Sequence, residues 1–107
     1  MKINNSTTKP GDVYALPEKK HYTVVKVLAI DKYGVHVRFF EKVFKLRPRI
    51  KQTTKIEYFI GHTPLDKESW QSIKKELLFR ERVKKSELEG YEYWKHDQGG
   101  YFNQDLK

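Results

Sequence analysis

Apolar residues follow two rhythms along this chain, and the change between them predicts its architecture. In the first half they alternate, as half-buried strands require. Gly11-Asp12-Val13-Tyr14-Ala15-Leu16-Pro17 reads as a first strand closed by proline, and Glu18-Lys19-Lys20 as a turn. His21–Ile30 is the clearest strand, with Tyr22, Val24, Leu28 and Ile30 on one face and Val25, Val27 and Ala29 on the other. A strand apolar on both faces is central or strongly curved. Asp31-Lys32-Tyr33-Gly34 predicts a hairpin turn with a positive φ at Gly34. Beyond it Val35, Val37 and Phe39 face one way and His36, Arg38 and Phe40 the other, in a run that continues through Val43-Phe44 and stops near Pro48. A further strand is predicted at Lys55-Ile56-Glu57-Tyr58-Phe59-Ile60.

From Gly61 the period lengthens. Asp66 is placed to cap a helix, with Leu65 as a hydrophobic staple. Trp70, Ile73, Leu77 and Leu78 then recur at helical spacing. Phe79-Arg80-Glu81-Arg82-Val83 alternates again, as a short strand would. Ser86 and Glu89 have the spacing of a capping box ahead of a second helix that buries Leu88, Tyr91 and Trp94. Gly90 inside that helix costs about 1 kcal/mol relative to alanine, and either a close packing contact or simply a short helix would account for it. Gly99-Gly100 ends the helix, and Tyr101-Phe102 are placed back at the sheet edge. Residues 1–9 are polar and without period, and read as a disordered tail. Residues 10–107 read as one α+β domain: a small curved antiparallel sheet, wrapped as an SH3-like barrel, with two short C-terminal helices.

Composition narrows the chemistry. The 107 residues include no cysteine, which removes disulfides, thiolate nucleophiles and cysteine-ligated metals and fits a cytoplasmic location. The start is polar and lacks the apolar stretch of a signal peptide, and Val27-Leu28-Ala29-Ile30 is far too short to span a bilayer, so no membrane partner is expected. A net charge of +8 favours acidic partners, either a protein with an acidic surface or nucleic acid. Apolar residues are few, at 37%, and aromatics many, at 14%, so rings are expected to carry much of the core.

The strongest cluster is basic. Lys42, Lys45, Arg47, Arg49, Lys51 and Lys55 occur without an acid among them, and Phe40 and Phe44 flank their start. Cations that track phosphates and rings that stack on bases are what single-stranded nucleic acid needs. The simpler reading is a solvated loop, and the lack of glycine in the segment favours it. His21, His36, His62 and His96 show no ligand spacing, so no metal and no cofactor are expected. Asp12, Glu18 and Lys20 follow the residue order of metal-dependent nucleases, but such matches are common in lysine-rich chains. No serine elbow, phosphate loop or dinucleotide fingerprint occurs, and no catalytic residue is assigned. Of the ring cluster Tyr91, Tyr93 and Trp94, Tyr93 is the one expected to face water.

Lys9-Pro10-Gly11-Asp12-Val13-Tyr14-Ala15-Leu16-Pro17, with the strand Tyr22–Ile30 that follows, resembles the opening of the immunity-26-type proteins of bacterial polymorphic toxin systems. Ile60-Gly61-His62-Thr63-Pro64-Leu65 and Glu87-Leu88-Glu89-Gly90-Tyr91-Glu92-Tyr93-Trp94 look like the tails of small bacterial proteins with no assigned activity. The resemblance implies a non-enzymatic binding domain that recognises a protein partner. Tyr93, His36 and Arg38 are its candidate contacts. The alternative is a nucleic-acid-binding SH3-like domain that uses the basic cluster.

Overall fold

The computed structural model describes residues 8–54 and 56–96. The alternating first half forms β1 (Asp12–Pro17), β2 (Tyr22–Ile30) and β3 (Gly34–Phe40). There follow β4 (Tyr58–Asp66), α1 (Lys67–Ser72), β5 (Glu76–Arg80), a 3-10 turn (Lys85–Leu88) and α2 (Glu89–His96). The strands make one antiparallel five-stranded sheet in the order β4-β3-β2-β1-β5. The sheet is open: β4 and β5 are its edges and do not pair with each other. The architecture is α+β. The helices do not both follow the sheet, because β5 lies between them and returns to pair with β1.

Each face of the sheet has its own cover. Val25, Val27, Val35 and Val37 pack with Tyr14, Leu16 and the Trp70 indole of α1. Tyr14 and Trp70 meet edge to face at 5.3 Å. On the other face Val13, Val24 and Phe40 lie beneath Phe44, Ile50 and Ile56 of the 41–57 segment. Valine supplies more of the fully buried core than the aromatic content suggests. The fold reaches back to Thr8, whose hydroxyl accepts from the Trp70 Nε1–H at 3.2 Å, and Lys9 N–H donates to Asp12.

Several boundaries differ from the sequence pattern for local reasons. Asp66 caps α1 as expected, accepting from Ser69 N–H at 2.7 Å. The helix stops at Ser72, however, because Lys75 Nζ donates to the carbonyls of Trp70 and Ile73 and closes its end. Leu77 and Leu78 therefore belong to β5. β4 begins at Tyr58 and runs through Gly61 and Pro64 to Asp66. Proline is tolerated there because an edge strand can leave its missing N–H toward solvent. β3 ends at Phe40, and Phe44 meets Tyr22 through an isolated bridge. In the β2–β3 turn the Asp31 carboxylate accepts from the N–H groups of Tyr33 and Gly34, so the turn closes without a positive φ at Gly34. That conformation falls instead at Gly11, with φ 94°, where an added Cβ would lie 2.2 Å from the Glu81 carbonyl oxygen.

Candidate functional site

The second face of the sheet carries the polar chemistry. Lys26 sits in the middle of β2, between the apolar Val24 and Leu28, and is 1% exposed. A buried ammonium is costly unless fully paired. Its Nζ donates to Glu81 at 2.7 Å, Glu87 at 2.8 Å and the Arg82 carbonyl at 2.8 Å. Glu81 also accepts from the N–H and hydroxyl of Thr53. Burial raises the Glu81 pKa, but the bonds from Lys26 and Thr53 outweigh it and hold the carboxyl below its ordinary range. Glu87 reaches back to Lys84 N–H at 2.8 Å, so it caps the 3-10 turn in place of the Ser86–Glu89 box that the spacing predicts. This network ties β2 to the 41–57 segment and to the chain after β5. It forms the floor of a cleft of about 390 Å³, walled by Arg38, Phe40, Ile56 and Tyr58. The charges on the floor satisfy one another.

Arg38 links the cleft to the sheet edge. Its guanidinium lies 4.1 Å from the Tyr58 ring centroid, its Nε–H donates to the Gly61 carbonyl at 3.3 Å, and Nη1 is 3.7 Å from Glu87. Tyr58 is thereby fixed, although 54% exposed. Phe39 pairs with Ile60 and Phe40 with Tyr58, so Phe59 is the extra residue of a β-bulge. It is 70% exposed. Bulges re-aim side chains and are frequent beside functional sites. Tyr58, Phe59 and Ile60 thus give the edge three consecutive exposed apolar side chains.

The expected basic cluster lies on the segment between β3 and β4. Lys42, Lys45, Arg47, Arg49 and Lys51 are exposed, while Lys55 lies outside the described residues. Arg47 is engaged with Glu76 at 2.6 Å. Phe40 and Phe44 do not serve as exposed rings. Phe40 is buried in the core and Phe44 packs against it, since the 41–57 segment covers the sheet with Phe44, Ile50 and Ile56. Lys42 lies 5.2 Å from the Phe44 ring. The exposed rings nearest in sequence are Tyr58 and Phe59, which the strand pattern did not single out.

His36 is fully buried, so a partner cannot touch it directly. Its Nε2–H donates to Asp31 at 3.1 Å, and its Nδ1 lies 2.9 Å from His62 Nε2. The two imidazoles stack at 5.1 Å. Tyr91 and Trp94 of α2 meet His36 edge to face at 4.6 and 4.5 Å. Burial lowers the pKa of His36 against the opposing pull of Asp31. Burial, with repulsion from His36, lowers His62 to about 4. Tyr93, at 75% exposure, points away, as expected. Gly90 provides the close contact its position suggested, because an added Cβ would sit 2.7 Å from the His62 Cβ.

The nuclease-like residues are spent structurally. Asp12 is buried and accepts from Arg80, Lys9 N–H and Tyr14, while Glu18 faces His21 and Thr23. Among the described residues no three His, Cys, Asp or Glu side chains gather to hold a metal, and no helix is long and apolar enough to cross a membrane. Gly99, Gly100, Tyr101 and Phe102 lie outside the described residues. Comparison with family models, curated proteins and solved structures found no match.

Proposed function

We propose that this chain is a small bacterial binding domain, immunity-like and without catalysis of its own, that recognises an acidic protein surface. The contact is the bulged start of β4, at Tyr58, Phe59 and Ile60, together with the exposed cations of residues 42–51. The observation that carries the reading is Phe59, a large ring pushed into solvent by a bulge beside a tyrosine held by Arg38. Rigid aromatic anchors are typical hot spots. Exposed aliphatic side chains, Ile60 here and Val43 and Leu46 on the basic segment, favour a protein over a nucleic acid, whose bases stack on rings and gain little from branched chains. The antiparallel run β1–β2–β3–β4 supports relating the sheet to SH3-like binding modules.

A second reading has one observation in its favour: exposed cations in the same segment that leads to the exposed rings Tyr58 and Phe59. In that reading the domain binds single-stranded nucleic acid. One experiment separates the two. The immobilised protein, Phe59→Glu and Arg49→Glu/Lys51→Glu are exposed to a nuclease-treated lysate of the source cells, and each is titrated with labelled single-stranded DNA and RNA. The protein reading expects a partner retained by the parent and lost by both variants, with weak nucleic-acid binding. Tight nucleic-acid binding that falls linearly in log salt, with no retained protein, reverses the order of the two readings.

A further inference from the structure

The histidine pair sits where α2 meets the sheet, and its hydrogen bonds define where a proton can go. Asp31 accepts from His36 Nε2, so with both rings neutral the bare nitrogen of His36 is Nδ1, which accepts from His62 Nε2–H. The nitrogen of His62 left to take a proton is Nδ1. That atom lies under Gly90, at the amino end of α2. A proton there places a desolvated cation beneath the closely packed start of α2, while the Nε2–H bond to His36 stays in place. Two charged rings would set N–H against N–H across the 2.9 Å contact, which cannot persist.

The element above this pair is poised to leave. α2 is eight residues long and none of them is fully buried. Helices of that length are not stable alone in water. Among the described residues its contacts with the sheet include the Tyr91 and Trp94 rings over His36 and His62 and the close approach of Gly90 to His62. Asp31, from the β2–β3 turn, is already bonded to His36 on the far side. Arg38 of β3 is directed to Gly61, Tyr58 and Glu87, and Lys95 of α2 lies 5.5 Å from the Tyr91 ring. Glu89 and Glu92, in the first turn of α2, are exposed.

We propose that α2 is a proton-operated cover, docked while His36 and His62 are both neutral and released when the pair takes up a proton, uncovering the β3–β4 strip beside Arg38 and Tyr58. The device stands independently of the partner-binding reading, although release would enlarge that surface.

The test is NMR on the full chain, stepping the pH from neutral down to about 4, the value for His62. Imidazole resonances report protonation, and amide exchange reports α2 and the sheet separately. The expected result is that exchange in α2 speeds up by on the order of a hundredfold with the His62 midpoint, while β1–β3 amides stay protected. His62→Gln retains a donor toward His36 and has no titration, so its α2 should stay protected through the same range. Three results overturn the proposal: His62 titrates while α2 exchange is unchanged, His62→Gln releases α2 at the same midpoint, or the sheet loses protection together with α2. If His62→Gln fails to dock α2 at neutral pH, the coincidence of midpoints in the parent protein decides alone.

Discussion

Lys26 shows most directly how one residue organises this molecule. It occupies a core position of the central strand, yet its ammonium has three oxygen acceptors within 2.8 Å. Removing the charge leaves Glu81 and Glu87 partly buried without their cation. Lys26→Met, which keeps most of the volume, should therefore destabilise by about 3–5 kcal/mol. A urea titration at neutral pH checks this, and an unchanged midpoint would show that water replaces the ammonium at no cost. Lys26→Met/Glu81→Gln/Glu87→Gln should recover part of the loss, because the stranded charges go with the cation. The sequence marks Lys26 only as an interruption between Val24 and Leu28. Its acceptors lie far along the chain, and no spacing rule connects them. His36 is similar: alternation places it on the correct face of β3, but its burial depends on His62 and on the rings of α2.

At the scale of elements, the covers over the second face are the informative parts. The 41–57 segment reads as a charged loop, yet Phe44, Ile50 and Ile56 turn inward and make it a lid on Val13, Val24 and Phe40. Its cations face water because its apolar residues are needed below. In α2 the decisive residue is Gly90. Alanine is the better helix former by about 1 kcal/mol, but a methyl placed 2.7 Å from the His62 Cβ forces α2 off the sheet or shifts β4. Gly90→Ala should thus loosen α2, seen as faster amide exchange there. In a His62→Gly background, which removes that Cβ, the same change should cost clearly less. Equal effects in both backgrounds would mean that the contact does not govern docking. The capping residue Asp66 and the alternation of β1–β3 were legible because both depend on neighbours in sequence. The early end of α1 was not, because leucines at helical spacing serve equally well in a strand once β1 offers an edge.

For the whole molecule, pH is the simplest global probe. His36 and His62 have lowered pKa values in the folded state, so unfolding takes up protons below the ordinary histidine value of 6.5. Their contribution is fully present above that pH and is lost as pH falls toward about 4, a change on the order of 2 kcal/mol after allowing for partial solvent access. Glu81, also lowered, adds a second loss that begins below its ordinary 4.5. Thermal or urea unfolding across this range should show stability declining from pH 6.5 downward, and His62→Gln should flatten the upper part of the decline. A flat profile between pH 6.5 and 5 would mean that the folded histidines titrate normally.

By itself, the sequence determined the strands β1 to β3 with their facing residues, the cap of α1, the excess of positive charge and the absence of cysteine chemistry. These follow from local periodicity, local hydrogen bonding and counting. Tertiary structure alone decided that the sheet stays open, that β5 intervenes between the helices, that Phe40 and Phe44 point inward while Phe59 points out, and that Lys26 and His36 are buried with partners. Each of these depends on which distant segment covers which face. That choice is made by packing and by pairing of buried charge over the whole chain, and periodicity within a window carries no record of it.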